Sequence, residues 1–138
     1  MKKIEIFSRH CNSSKFSEDR ERLKGFSKEA CYKNLKSTID RNISNISFLM
    51  DGNLDEHFLK DEKEFKVVKI EGGSQAKSWE STLGHVKNNN FSDEQIIYFI
   101  EDDYLHLDNW NKILLEGFEL KPEYISLYDH PDKYKLPM

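Results

Sequence analysis

The sequence has few cysteines and no long apolar run, and each of these absences excludes a class of protein. Its 138 residues include two cysteines, Cys11 and Cys31. They are too few for a disulfide framework or a zinc site, so we interpret both as reduced thiols of a cytoplasmic protein. No stretch approaches the roughly 18 consecutive apolar residues of a transmembrane helix. Glu5 interrupts the apolar stretch that follows the basic start, which favours an opening strand over a signal peptide.

A basic cluster is also lacking. The chain has 25 acidic and 21 basic residues, for a net charge of −4. Binding to a nucleic-acid backbone needs clustered lysine and arginine, so nucleic acid is not an expected partner. A small phosphate ligand needs only one or two cations, or a metal held by carboxylates. With 37% hydrophobic and 33% charged residues, the chain is predicted to form one globular domain over residues 1–138.

The sequence does contain an alternation of strand and helix patterns. In chain order they are a strand over residues 3–8, a helix over 27–41 capped by Ser27, strands over 43–50 and 67–70, a helix after Ser74, a strand over 96–100, a helix after Asp108, and a fifth strand over 124–128. The polar residues 9–26 are predicted to be a long loop. This alternation predicts an α/β fold with a parallel-rich central sheet flanked by helices.

Three apolar patterns predict how these elements pack. The unbroken apolar run over residues 96–100 predicts a strand that is buried on both faces. The second helix carries one apolar stripe, made of Ala76, Trp79, Leu83 and Val86. The third helix is predicted to turn four residues inward, namely Trp110, Ile113, Leu114 and Phe118.

The fourth predicted strand ends in three adjacent acids, Glu101-Asp102-Asp103. Ligands of parallel sheets bind outside the carboxyl ends of the strands, so this is where chemistry is expected. Three adjacent carboxylates repel each other unless a hard cation such as Mg²⁺ or Mn²⁺ neutralises them. Alternate residues of an extended chain point the same way, so Glu101 and Asp103 could converge on one ion. The alternative is a triplet that ends the strand and faces water.

Other strand ends carry weaker signals. Gly72-Gly73 leads into a helix whose first turn holds Lys77, and exposed amides at a helix start attract phosphate; the pair could equally form a plain turn. Asp51 could accept a hydrogen bond from a ribose or a base, or be a turn residue. His106 could be a metal ligand, a general acid or an exposed histidine, and His10 is placed in a strand-end loop.

The order of these residues resembles the GT-A-type glycosyltransferases, in a layout similar to family 2. There, a second strand ends in an aspartate that reads the nucleotide, the position of Asp51. A glycine-containing turn and a nearby basic residue follow, matched by Gly73 and Lys77. The next strand ends in the D-x-D metal motif, which here reads Glu101-Asp102-Asp103. The resemblance implies that Asp103 binds the metal directly, while Glu101 contacts the ribose or the metal shell.

The resemblance implies a Rossmann-like GT-A nucleotide-sugar-binding fold and a metal-dependent glycosyltransferase. The cofactor would be Mn²⁺ or Mg²⁺, the donor a UDP-sugar or related nucleotide-sugar, and the acceptor is unknown. The metal would neutralise the departing diphosphate. Together with the residues at the other strand ends, the predicted donor-binding set is Ser8, Arg9, Asp51, Gly73, Lys77, Glu101 and Asp102. The predicted metal ligands are Asp103 and Glu101, with His106 added for its place three residues beyond Asp103. Asp129 and Asp132 are the nearest acids for a catalytic base.

The chain departs from the family in three ways, and other functions stay open. The first acid of the metal motif is glutamate, and Ser8-Arg9-His10 after the first strand do not match the usual opening of family 2. The acceptor-binding half that follows the fifth strand in the family is not matched either. We therefore expect either a minimal form or a fragment, with a homo-oligomer left open. One alternative is a non-catalytic nucleotide-sugar-binding module completed by a second subunit. The other is a metal-dependent hydrolase of sugar nucleotides.

Overall fold

The computed structural model describes residues 2–12 and 24–127. Over these residues the predicted alternation of strands and helices is largely confirmed. The elements are β1 (Ile4–Cys11), α1 (Lys28–Thr38), β2 (Ser44–Asp51), β3 (Lys66–Ile70), α2 (Gln75–Asn88), β4 (Ile96–Glu101) and α3 (Trp110–Phe118). Two short 3-10 helices, Leu54–Glu56 and Phe58–Asp61, lie between β2 and β3.

The four strands form one parallel sheet in the order β3-β2-β1-β4. This confirms the predicted α/β class, with a parallel sheet flanked by helices, and is consistent with a Rossmann-like fold. The chain starts in the middle of the sheet, adds β2 and β3 on one side, and then crosses to place β4 on the other side of β1. The strand order therefore reverses between β1 and β4, which is the position where open α/β sheets bind ligands.

Helices cover both faces of the sheet. On one face, buried residues of β1 and β2 pack with Leu35 of α1 and with Trp110 and Leu114 of α3. Each fully buried side chain of this kind contributes about 1.5–3 kcal/mol. On the other face Phe7 lies 5.9 Å from His85 of α2, measured between ring centroids. The helices cover the two faces of the sheet. The ends of the strands and the starts of the helices meet at its carboxyl edge.

The helix starts confirm two predicted caps and correct a third. The Ser27 side chain accepts a hydrogen bond from the Ala30 N–H at 2.9 Å, and Ser74 caps α2 through the Lys77 N–H. Asp108 was predicted to cap α3, but Asn109 holds that position and makes no side-chain cap bond. α1 ends at Thr38, before the predicted residue 41, because the next residue already adopts an extended conformation.

The predicted inward stripe of α2 is wrong. Its buried residues are Ser78 and Thr82, while Leu83 is 54% exposed. The small side chains let the helix approach the sheet, and of the predicted stripe the half-buried Trp79 still packs on Phe99 of β4, with the ring centroids 6.1 Å apart. Ile113 of α3, also predicted to face inward, is 41% exposed.

The prediction for the outer part of the sheet also needs correction. In the described part of the chain β4 pairs only with β1, so it is an outer strand and only Ile100 is buried. The fifth strand is not found, since residues 124–127 adopt no strand conformation and Tyr128 lies outside the described residues. The central strand β1 is longer than predicted and continues to Cys11. His10 is therefore part of the sheet, where it is buried, and does not lie in a loop.

Candidate functional site

The point where the strand order reverses is occupied by Arg9 and Glu101, which are paired across β1 and β4. Arg9 Nη2 lies 2.5 Å from Glu101 Oε1, and Arg9 Nη1 donates to Ser78 Oγ at 2.9 Å. The guanidinium carbon lies 4.6 Å from the ring centroid of Trp79, a cation–π distance. One side chain thus joins the ends of two strands to the start of α2.

Asp102 forms a second charged group beside the first. Its Oδ2 lies 3.1 Å from Lys28 Nζ and accepts a hydrogen bond from the Cys11 N–H at 3.2 Å. Lys28 Nζ is also 3.5 Å from Cys11 Sγ. Burial raises the pKa of Asp102, and the charge of Lys28 counteracts part of that rise. This group connects β1, β4 and the first residue of α1.

Asp51 brings the ends of β2 and β3 into the same region. Its carboxylate lies directly against Gly72, in the space that a Cβ atom there would occupy. Asn12 joins the ends of β1 and β2, because its Oδ1 accepts a hydrogen bond from the Asn53 N–H at 2.7 Å. A larger residue at position 72 would collide with the Asp51 carboxylate unless that side chain moved. The close approach of Asp51 therefore explains why glycine suits this position.

Gly73 and Lys77 lie at the start of α2. Gly73 has a φ of +104°, a conformation that favours glycine, and apart from its chain neighbours no described residue has an atom within 4 Å of the position a Cβ would take. The surface above Gly73 is therefore open. Lys77 is exposed in the first turn of the helix, so its ammonium group can approach an anion without leaving a cavity.

The structure places Ser8 away from these residues. It lies on the other face of β1, is 1% exposed, and its Oγ lies 2.8 Å from Nε2 of the buried His10. Rings of Tyr32, Phe48 and Phe58 surround His10, with centroids within 6.4 Å. Burial, then the charges of His57 and Lys28, lower the pKa of His10 to about 3. This pair is part of the core.

His106 fixes the loop after β4 to α1. Nε2 of its ring lies 2.8 Å from the Tyr98 hydroxyl, and its backbone N–H donates to Asn34 Oδ1 at 2.7 Å. Its ring lies 5.0 Å from that of Trp110. Burial lowers the pKa of His106 to about 4, so the imidazole is neutral at physiological pH.

The predicted metal ligands do not come together as a ligand set. Within residues 2–12 and 24–127, no group of three or more His, Cys, Asp or Glu side chains is arranged to hold a metal ion. Glu101 is engaged by Arg9 and Asp102 by Lys28. In this arrangement the residues do not fit a metal, and a site at Asp103 and Glu101 stays a prediction. Asp129 and Asp132 lie outside the described residues.

Sequence reasoning missed the partners of the acids, above all Lys28, Cys11 and Ser78. The sequence did indicate where Lys28 lies, since it follows the capping Ser27 as the first residue of the predicted helix. Ser78 gave no signal, because its role depends on the close approach of α2 to the sheet. The ion pairs join residues far apart in the chain, 92 positions in the case of Arg9 and Glu101.

No known family model, curated protein or solved structure matches this chain. In the part of the chain that the structure describes, no helix has the length and apolar character needed to cross a membrane.

Proposed function

We propose that this protein binds a nucleoside diphosphate sugar at the carboxyl edge of its sheet and transfers the sugar to an acceptor. One observation carries the proposal: Arg9, Glu101 and Asp102 lie where the strand order reverses, and Asp51 packs against Gly72 at the same edge. In open α/β sheets this crevice is the ligand site. The parallel sheet and the helix start at Gly73 support the same location.

Basic groups around this edge suit a diphosphate. Lys77 in the first turn of α2 and the amides at the helix start would meet its negative charge. Fixed cations that face a developing negative charge lower the barrier to departure of a leaving group. In the proposed reaction, the bond between the anomeric carbon and the diphosphate breaks. A bond to an acceptor hydroxyl oxygen forms, and its proton passes to a base, for which Asp129 and Asp132 are the candidates.

The metal is a separate part of the proposal. Oε1 of Glu101 is engaged by Arg9, and the described residues form no metal-ligand group, so no step of the reaction is assigned to the metal. Chelation tests this part directly. If Asp103→Asn removes the Mn²⁺-dependent share of donor binding, Asp103 is a metal ligand. If donor binding is the same with Mn²⁺ and with chelator in both proteins, the metal prediction is wrong and donor binding itself still stands.

A panel of nucleotide-sugars distinguishes the proposed reaction from its alternatives. We expect at least one UDP-, GDP- or ADP-sugar to raise the melting temperature of the full chain, with Mn²⁺ or with EDTA. Released nucleoside diphosphate together with a glycosylated acceptor indicates a transferase. Nucleoside monophosphate and sugar 1-phosphate indicate a hydrolase. A thermal shift without products indicates a binding module, and the absence of any shift across the panel contradicts the proposal.

Lys77→Ala tests the contribution of the start of α2. We expect the affinity for the donor to fall by at least about tenfold, since a hydrogen bond to a charged group contributes about 1.5–3 kcal/mol, with an unchanged melting temperature. Lys87→Ala is the matched control, because Lys87 is exposed in the last turn of the same helix. Equal donor affinity of the two variants, measured by calorimetric titration, would show that α2 contributes no phosphate contact.

A further inference from the structure

A groove of about 970 Å³ runs along the outer edge of β4, away from the centre of the sheet. One wall is β4 itself, and the others come from the loop after it, from α3 and from the segment 122–127. The described residues that line the groove do not include the ends of β2 and β3, and they meet the proposed donor site at Glu101 and at Trp79, over which Arg9 lies.

The hydrogen-bonding groups of β4 give this groove its first property. Among the described residues β4 pairs only with β1, so in this part of the chain no strand occupies the backbone N–H and C=O groups of its other edge, which borders the groove. Opposite this edge, Ile125 and Leu127 pack against the core, yet the segment that carries them is not a strand. The space between β4 and this segment thus has the backbone chemistry that an added strand uses.

The side chains around the groove are unusually apolar for an exposed surface. Leu105, Leu107, Ile113 and Tyr124 all line it, and their exposed fractions run from 41% to 84%. Clustered exposed apolar side chains of this kind mark interaction surfaces more often than isolated ones do. They favour an occupant with apolar side chains.

The charge of the groove determines what else the occupant must carry. Its charged lining residues are Asp93 and Glu94 at the start of β4, Glu101 at its end, and Glu123 on the opposite wall. No lysine or arginine is among the described residues that line it. A second copy of this chain would bring the same acids to the contact, and like charges facing each other oppose association.

We propose that this groove binds an extended segment of a partner polypeptide, which adds to the sheet beside β4. The segment has apolar residues in its middle, to contact Leu105 and Leu107, and lysine or arginine at its ends, to meet Glu94 and Glu123; Glu101 already pairs with Arg9. β4 has six residues, so about six residues of the partner, roughly 20 Å of extended chain, pair with it.

The probe is a fluorescein-labelled peptide, Lys-Arg-Val-Thr-Ile-Thr-Val-Lys, titrated into the full chain and followed by fluorescence anisotropy. Two further peptides carry N-methyl groups at the odd or at the even positions. Alternate N–H groups of a strand point to opposite edges, so only one of the two sets faces β4. We expect one methylated peptide to bind at least about tenfold more weakly, the effect of one or two lost hydrogen bonds, and the other to bind like the parent.

Charge variants test the acidic lining. Glu94→Lys with Glu123→Lys should weaken binding at least about fivefold at low salt, and Glu56→Lys, an exposed acid outside the groove, should not. Equal binding by both methylated peptides, or by a peptide with glutamate in place of its basic residues, would overturn the proposal. Self-association of the chain that the peptide does not displace, measured by sedimentation, would also overturn it and assign the surface to a second copy.

Discussion

Arg9, near the end of the central strand, contacts three residues on two other elements. It pairs with Glu101 on β4, donates to Ser78 on α2 and lies over Trp79. Its side chain is 12% exposed and that of Glu101 is 32% exposed. The exposure of this ion pair is therefore intermediate between that of a surface pair and that of a buried pair. Such a pair should therefore contribute more to stability than a pair in open solvent.

We expect Arg9→Met to lower the free energy of unfolding by about 1–3 kcal/mol, because Glu101 keeps its charge and loses its partner. The double variant with Glu101→Gln should recover part of this loss, as interacting residues do in a double-mutant cycle. Lys33→Met is the control, since its pair with Glu29 is exposed and its loss should change stability by less than about 0.5 kcal/mol. Urea denaturation measures five proteins, namely the wild type, Arg9→Met, Glu101→Gln, the double variant and Lys33→Met. Additive effects of the Arg9 and Glu101 changes would contradict a coupled pair.

His10 gives the protein a predicted sensitivity to acid. Its pKa in the folded protein is about 3, whereas an unfolded histidine takes up a proton below about pH 6.5. Falling pH therefore favours the unfolded state, and the stability that neutral His10 contributes is present above pH 6.5 and is lost as the pH falls toward 3. The expected loss is about 1.4 kcal/mol per pH unit in this window.

The double variant Ser8→Ala with His10→Phe tests this expectation, because it removes both polar partners of a buried hydrogen bond. Its free energy of unfolding should fall less steeply between pH 6 and pH 4, by about 1.4 kcal/mol per pH unit. Ser8→Ala alone should keep the slope of the wild type. Equal slopes in all three proteins would show that His10 becomes protonated without unfolding.

At the scale of the elements, α2 is where local pattern and tertiary packing disagree. Its apolar residues are spaced as an inward stripe, yet Ser78 and Thr82 are fully buried and Leu83 is half exposed. The spacing of apolar residues shows which of them share a face of the helix. Whether that face is buried depends on the residues against which the helix packs. Here Arg9 and Phe7 fill the space beneath α2, so small side chains are needed. A sequence pattern cannot show this, since the sheet residues that decide it are about 70 positions away.

Thr82→Leu should therefore lower the free energy of unfolding by about 1–3 kcal/mol through overpacking. Leu83→Thr should change it by less than about 0.5 kcal/mol, because that side chain is exposed. Thermal or urea unfolding of both variants measures the difference. The reverse order, with Leu83→Thr the more damaging change, would mean that the helix presents its apolar stripe to the sheet.

At the scale of the whole molecule, the sequence predicted the fold class and most elements, because strand and helix periodicities are local. It also predicted which strand ends carry the acids, since parallel strands bring these ends to one edge. It could not predict that Lys28 and Arg9 hold Asp102 and Glu101, because both pairs depend on the strand order. The fifth strand is not found over residues 124–127, because a strand needs ladder hydrogen bonds with a neighbour and this segment forms no ladder with β4.

The most direct test of the central claim is to map the donor site by NMR. The full chain, labelled with ¹⁵N, is titrated with the nucleotide-sugar that gives the largest thermal shift. We predict that amide signals change at the carboxyl edge, at Cys11, Asp51, Gly73, Glu101 and Asp102. Signals at the opposite ends of the strands, such as Ile4 and Ser44, should stay in place. Changes confined to those opposite ends or to the groove beside β4, or no changes at saturating donor, would contradict the claim.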